Sequence, residues 1–156
     1  MSMNIPTLVI ICGLPGSGKT TLSRQLAQEM PAIRFSPDEW MEDLGISLWD
    51  GKFRDQIEQR FWHLAQDVLK LGQSVILENG FWGRSERDAI LDRARELDVR
   101  IELRYLDVPI DELKRRLEKR QMEGDKIIIT KIEEYSVKFQ RPNADELKLY
   151  DNYPSK

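Results

Sequence analysis

One cysteine in 156 residues means that no intramolecular disulfide can staple this fold. Cys12 ends an apolar run, and a strand interior is a poor place for a reactive thiolate, so a buried packing role is expected for it. The one histidine, His63, lies two positions from Phe61 on a helical pattern and is assigned a surface or packing role. No apolar run approaches the roughly 18 residues needed to span a bilayer. Residues 1–6 lack the basic-then-apolar layout of a secretory signal, and a cytoplasmic location is the expectation. Neither sign of charge dominates: 24 Lys and Arg stand against 27 Asp and Glu, a net charge of −3. That balance gives no general electrostatic reason to expect nucleic-acid or membrane binding, so an anion site would have to be local. With no internal repeat, low-complexity tract or linker, residues 1–156 are expected to form one domain.

Against these absences, one stretch stands out. Leu8-Val9-Ile10-Ile11-Cys12 runs directly into Gly13-Leu14-Pro15-Gly16-Ser17-Gly18-Lys19-Thr20, which fits G-x-x-x-x-G-K-[ST] at every fixed position. Glycines that tolerate unusual φ/ψ would free a run of backbone N–H groups to wrap an anion at the start of the next helix, where the macrodipole also favours negative charge. Lys19 would reach the β- and γ-phosphates, and the Thr20 hydroxyl would sit on Mg²⁺. Gly13, Leu14, Pro15, Gly16, Ser17, Gly18, Lys19, Thr20 and the adjoining Thr21 are the candidate nucleotide-binding residues.

The rest of the chain alternates strands and helices. Residues 7–12 read as a buried strand, and Leu22, Leu26 and Met30 share one face of a helix over 18–30 that Pro31 stops. A strand over 32–36 leads into Ser36 as a helix cap and Pro37 at the first helical position, which puts Asp38 in the first turn after a strand. Residues 44–54 read as a loop. From Asp55 the apolar positions Ile57, Phe61, Leu64, Ala65, Val68 and Leu71 keep a helical period, with Gly72 as the stop. A strand over 74–78 ends in Glu78, and Ser85 is a plausible cap for a helix burying Ile90, Leu91, Ala94 and Leu97. After a strand over 101–108, Pro109 opens a helix on which, at about 100° per residue, Arg116 and Arg120 face the protein or a ligand while Arg115 points away. Ile127-Ile128-Ile129 reads as an exposed run, Thr130 to Glu133 as a capping box starting a helix to 139, and residues 147–151 as a fifth strand.

This order implies an α/β three-layer fold, a mostly parallel sheet of four or five strands with helices on both faces. The chain resembles the small P-loop kinases that include zeta-toxin-like, polynucleotide-kinase-like, gluconate-kinase-like and chloramphenicol-phosphotransferase-like proteins, a group often given the generic label of ATP-binding AAA proteins. The resemblance covers nearly the whole chain. It rests on Gly13 to Thr20, on Asp38 after the second strand, and on Leu113, Arg116, Leu117 and Arg120, which are similar to the family's L-x-x-R-L-x-x-R lid signature.

The resemblance implies ATP and Mg²⁺ as cofactors and a helical lid over about 116–141. It implies that Asp38 accepts the proton of an acceptor hydroxyl, with Glu39 a neighbouring alternative, and that Lys19, Arg116 and Arg120 neutralise charge on the transferring group. Arg141 is a further basic candidate. Where many relatives end the third strand in Asp, this chain has Glu78, which would hold Mg²⁺ with Thr20, contact the acceptor, or bond neighbouring backbone. Arg84 and Arg87 would bind an acidic acceptor or are surface charges. Trp40, Trp49, Phe53, Trp62, Phe81 and Trp82 suggest an aromatic-lined pocket. The activity implied is transfer of the γ-phosphoryl group of ATP to a hydroxyl of a nucleoside, sugar or antibiotic-like small molecule, with no membrane partner. A polynucleotide 5′-hydroxyl kinase is an alternative that the net acidity disfavours, and a slow ATPase switch docking a partner through Ile127 to Ile129 is another.

Overall fold

A computed structural model describes residues 5–122 and 124–154; the N-terminal residues read for a secretory signal lie mostly outside that range. Four strands, β1 (Thr7–Cys12), β2 (Ala32–Phe35), β3 (Ser74–Gly80) and β4 (Arg100–Tyr105), form one sheet in the order β2-β3-β1-β4, and every pairing is parallel. Seven helices accompany them: α1 (Lys19–Glu29), α2 (Pro37–Asp43), α3 (Gly51–Lys70), α4 (Arg84–Glu96), α5 (Ile110–Arg120), α6 (Asp125–Lys138) and α7 (Ala144–Leu147). The central strands β1 and β3 are continuous apolar runs because both of their faces are covered. Alternation sorts them between two layers. Val9, Ile11 and Ile76 pack with Leu26 of α1 on one side, while Leu8, Ile10, Val75 and Leu77 pack on the other with Phe61 and Ala65 of α3 and Ile90 and Ala94 of α4.

The expected fifth strand over 147–151 does not form. Asn143 caps α7 by accepting from Glu146 N at 2.9 Å. Beyond it, Asp151 and Asn152 satisfy the outer edge of β4 with side chains: Asp151 accepts from Ile101 N at 2.8 Å, and Asn152 both accepts from Leu103 N and donates to Leu103 O at 3.0 Å. The edge is thus closed by mimicry of a strand, which removes a template for edge pairing.

Other boundaries shift for equally local reasons. The loop expected over 44–54 ends early because Asp50 accepts from Phe53 N at 2.9 Å and starts α3 at Gly51. Ser85 does not cap α4; Gly83 holds that position, and Gln140, distant in sequence, accepts from Arg84 N at 2.7 Å. The helix expected from Thr130 begins at Asp125, and Thr130 Oγ1 donates back to Ile127 O inside it. Ile127 to Ile129 therefore lie on a helix rather than in an exposed run: Ile127 is exposed, Ile129 is half-buried, and Ile128 lines the main cleft.

Arg87, a candidate acceptor ligand or surface charge, is neither. Its side chain is fully buried and bidentate to Glu146, with Nε–Oε2 at 2.6 Å and Nη2–Oε1 at 2.9 Å, and it donates further to Phe81 O and Gln140 O. One guanidinium thus ties α4 to the turn after β3, the segment after α6, and α7. Arg84 lies at the surface, paired with Asp88. Replacing Arg87 by Met should leave the buried Glu146 with only Arg84, 3.7 Å away, at a cost of up to roughly 3–5 kcal/mol, while adding Glu146→Leu should recover much of it. Urea denaturation of both variants measures this, and a single variant as stable as the parent would show that the pair does not hold these segments.

Candidate functional site

The site begins where β1 ends. Gly13 N donates to Gly80 O at 3.0 Å, so the first residue of the loop is fastened to the end of β3. Gly16 and Gly18 then take left-handed φ values of 83° and 98°, open to glycine with little strain. Among the described residues nothing accepts from the backbone N–H groups of Gly16, Gly18, Lys19 or Thr20. Those four donors around the N-terminus of α1 make a cradle suited to phosphate. Leu14 and Ser17 are buried beneath the loop and shape it, while Pro15, Gly16 and Gly18 to Thr21 line the cleft above.

Lys19 Nζ donates to Gly13 O at 3.3 Å and Leu14 O at 3.1 Å. Desolvation pulls its pKa down to about 8, against the opposing attraction of Asp38 and Glu78. Thr20 Oγ1 donates to Glu78 Oε1 at 3.0 Å, and Ser23 Oγ donates to Glu78 Oε2. Glu78, a buried residue at the end of β3, therefore stands beside the Thr20 hydroxyl. A hydroxyl and one carboxylate, completed by waters and phosphate oxygens, suit Mg²⁺. Cys12 is buried, donates to Phe81 O, and has its thiol pushed up to about 12 by burial, as a packing residue should.

Arg116 and Arg120 approach the cleft from α5. Arg116 Nη1 donates to Ser17 O at 3.2 Å, and its Nε pairs with Glu112, whose carboxyl is held down at about 2 by Arg115 and Arg116. Arg120 makes a bidentate pair with the buried Asp125, at 2.9 and 2.7 Å, and Asp125 also accepts from Met122 N. Both arginines line the cleft. Arg141 does not: it bonds Ser136 and lies over the Phe139 ring, beside a small separate hollow with Tyr105.

The cleft, about 1000 Å³, extends from the loop across α2 and α3. Asp38 lines it, paired with Arg54 at 2.7 Å, whereas Glu39 is gripped by Arg24 and Arg34. Of the six aromatics expected around a pocket, Trp49 and Trp82 line it and Tyr135 joins them; Trp40 packs on Phe35 and Phe61 instead, and Phe81 is buried. Trp82 Nε1 donates to Gly13 O at 3.2 Å. Trp49 packs against Gly124, where φ is 78° and a Cβ would meet the indole nitrogen at 2.3 Å. Sequence reasoning missed Arg54, Glu58 and Asn79, which also line the cleft. Arg54 and Glu58, four apart on α3, look in the sequence like an ordinary solvated pair. Burial pushes the Glu58 carboxyl up to about 7, helped by Glu86, Asp55 and Asp38 and opposed by Arg54.

A parallel sheet in this order, with a phosphate loop between its first strand and first helix, defines the P-loop NTPase fold. Within that class the chain belongs to the AAA domain family (AAA_33), which matches residues 8–142, and its relatives are small P-loop kinases. It is 26% identical over 132 residues to an L-seryl-tRNA(Sec) kinase of Methanococcus maripaludis (strain DSM 14266), covering 82% of this chain and 52% of that protein. The chain thus spans about half the length of this curated relative. Among solved structures, Kti12 of Chaetomium thermophilum in complex with ADP-AlF3 is similar at a TM-score of 0.69 and 16% identity, covering 93% of this chain and 86% of that one. The Pnkp1/Rnl/Hen1 RNA repair complex contains a similar chain at a TM-score of 0.64 and 23% identity, covering 89% of this chain and 48% of that one. Among the described residues no helix is long and apolar enough to cross a membrane.

The depressed Lys19 pKa gives the loop a proton-linked affinity. Phosphate favours the charged amine, so binding above pH about 8 should take up a proton, and affinity should fall as pH rises toward 10. Calorimetric titration with ATP at pH 8.5, in buffers of different ionisation enthalpy, should report that uptake; none would mean that Lys19 stays fully charged in the free protein.

Proposed function

We propose that the protein is an ATP- and Mg²⁺-dependent phosphotransferase that moves the γ-phosphoryl group to a hydroxyl of a small molecule. The observation that carries this reading is that one cleft holds both the phosphate loop with Lys19 and, across from it, the Asp38 carboxylate. The small P-loop kinase family and the relative named as an L-seryl-tRNA(Sec) kinase support it.

In this reading the free N–H groups of Gly16, Gly18, Lys19 and Thr20 hold the phosphates, and Lys19 leaves the carbonyls of Gly13 and Leu14 for the β- and γ-oxygens. Mg²⁺, held by Thr20 and Glu78, would offset charge on the same oxygens. Asp38, oriented by Arg54, draws the acceptor hydroxyl into line and takes its proton as the new O–P bond forms. The bond from Pγ to the bridging oxygen breaks, and ADP leaves. Glu39 is a weaker candidate for the base because Arg24 and Arg34 already occupy it. Arg116, released from Ser17 O, and Arg120, released from Asp125, supply positive charge as the lid closes, and exclusion of water limits hydrolysis. The reading of the chain as a polynucleotide kinase gains nothing from the site, since Asp38, Glu42 and Glu58 on the acceptor side would repel a phosphate backbone.

The test is a panel of nucleosides, amino sugars, sugars, aminoglycosides and short oligonucleotides with MgATP, read by mass spectrometry for a product heavier by one phosphate. Uniformly slow hydrolysis with every acceptor would favour a nucleotide switch instead. Lys19→Ala should abolish turnover and weaken ATP binding; normal phosphorylation by that variant would sink the site assignment. Asp38→Asn should bind ATP nearly normally while turnover drops by roughly 10²-fold or more. Unchanged turnover would move the base role to another carboxylate.

A further inference from the structure

Four carboxylates along the cleft are already satisfied: Asp38 by Arg54, Glu39 by Arg24 and Arg34, Glu78 by Thr20 and Ser23, and Asp125 by Arg120. Glu58 is different. It lines the acceptor half from α3, one turn beyond Arg54, is half-buried, and has neither a hydrogen bond nor an ion pair among the described residues. The nearby cation, Arg54, is committed to Asp38 and to Leu48 O. The other charges that act on Glu58, those of Glu86, Asp55 and Asp38, are all negative and are the reason its carboxyl resists ionisation beyond what burial alone would cause. Asn79, at the end of β3, lines the same cleft, and its side-chain oxygen is buried without a donor.

Oxygen atoms without donors, in a wall of net negative potential, are complementary to a group that brings both N–H donors and positive charge. A metal ion would need several ligands, and among the described residues no three His, Cys, Asp or Glu side chains converge to hold one. A hydroxyl could donate to these oxygens, but only an organic cation brings donors and also answers the negative charges of Glu86, Asp55 and Asp38 around Glu58. We infer that Glu58 is the specificity residue of the acceptor half and binds a protonated amine, so that the phosphorylated hydroxyl belongs to an amino alcohol, amino sugar or aminoacyl compound rather than to a neutral polyol or an anion. This rests on the reading of the site as a small-molecule kinase. Asp38 addresses the hydroxyl and Glu58 the amine, which separates the reacting end of the acceptor from its identifying end.

The experiment pairs each amine-bearing acceptor with its N-acetylated form: glucosamine, serine amide and kanamycin, each free and acetylated, with MgATP. The free amines should be phosphorylated with kcat/KM at least about tenfold above their acetylated partners. Glu58→Gln should raise KM for the amines at least about tenfold while moving KM for the acetylated forms less than threefold. Equal use of both forms by the parent protein would overturn the inference. So would a Glu58→Gln variant that keeps the amine preference, or one in which kcat falls alike for both forms with KM unchanged. Binding of the same pairs, titrated by NMR in the presence of a non-hydrolysable ATP analogue, separates the two claims. Selective, Glu58-dependent binding of the free amines without any phosphorylated product would support Glu58 and refute the kinase. Binding that does not distinguish the pairs would refute Glu58 whatever the turnover.

Discussion

The parallel pairing of β1 with β3 is the constraint from which the site follows. It brings Leu8 opposite Val75 and Ile10 opposite Leu77, and at its end the register slips so that Cys12 faces Gly80. The loop that follows Cys12 is thereby fixed at its first residue by Gly80, while Glu78, two residues earlier on β3, reaches the first turn of α1 and meets Thr20 and Ser23. The first contact is backbone to backbone, and the second uses the Glu78 side chain. Burial of both strands on both faces supplies the free energy, and the polar groups at their ends are positioned by it.

A second layer of order is electrostatic. The cleft holds an almost fully cross-paired set of charges, in which Lys19 rests on carbonyls, Arg116 on the loop backbone, Arg120 on Asp125 and Asp38 on Arg54. Each pairing keeps a half-exposed charge in place until a ligand offers a better partner. The exposed Arg54–Asp38 pair contributes little to stability, so exchanging it for ligand contacts costs the fold little, whereas releasing Arg120 leaves the buried Asp125 without its cation and has to be offset by the new contacts. The buried Arg87–Glu146 pair is the opposite case. It touches nothing in the cleft and holds the C-terminal segment against the sheet.

Much of this was legible in the sequence because it depends on local pattern. The glycine spacing of the loop, the apolar runs of β1 and β3, Ser36 with Pro37 ahead of Asp38, and the inward angle of Arg116 and Arg120 can all be read from neighbours a few residues away. What escaped depends on partners distant in sequence. Nothing near Asp151 and Asn152 announces that their side chains would close the edge of β4, and a strand was the natural expectation for 147–151. Arg87 reads as a surface charge until Glu146 is brought to it across 59 residues. Arg54 and Glu58 look like one more helical charge pair until α3 is laid along the cleft, where the first finds Asp38 and the second finds no partner. The capping box at Thr130 was a real local signal overridden by a longer helix starting at Asp125.

Trp49 resting on Gly124 joins parts of the molecule that have separate tasks. The indole belongs to the segment between α2 and α3 that lines the cleft, and the glycine belongs to the turn between α5 and α6 beside Arg120 and Asp125. Trp49 is itself 40% exposed, so the contact with Gly124 covers only part of its ring. Any shift of the indole's segment removes the floor on which that turn sits. The segment between α2 and α3 and the turn between α5 and α6 therefore share one contact, so that a bulkier residue at 124 would displace both at once.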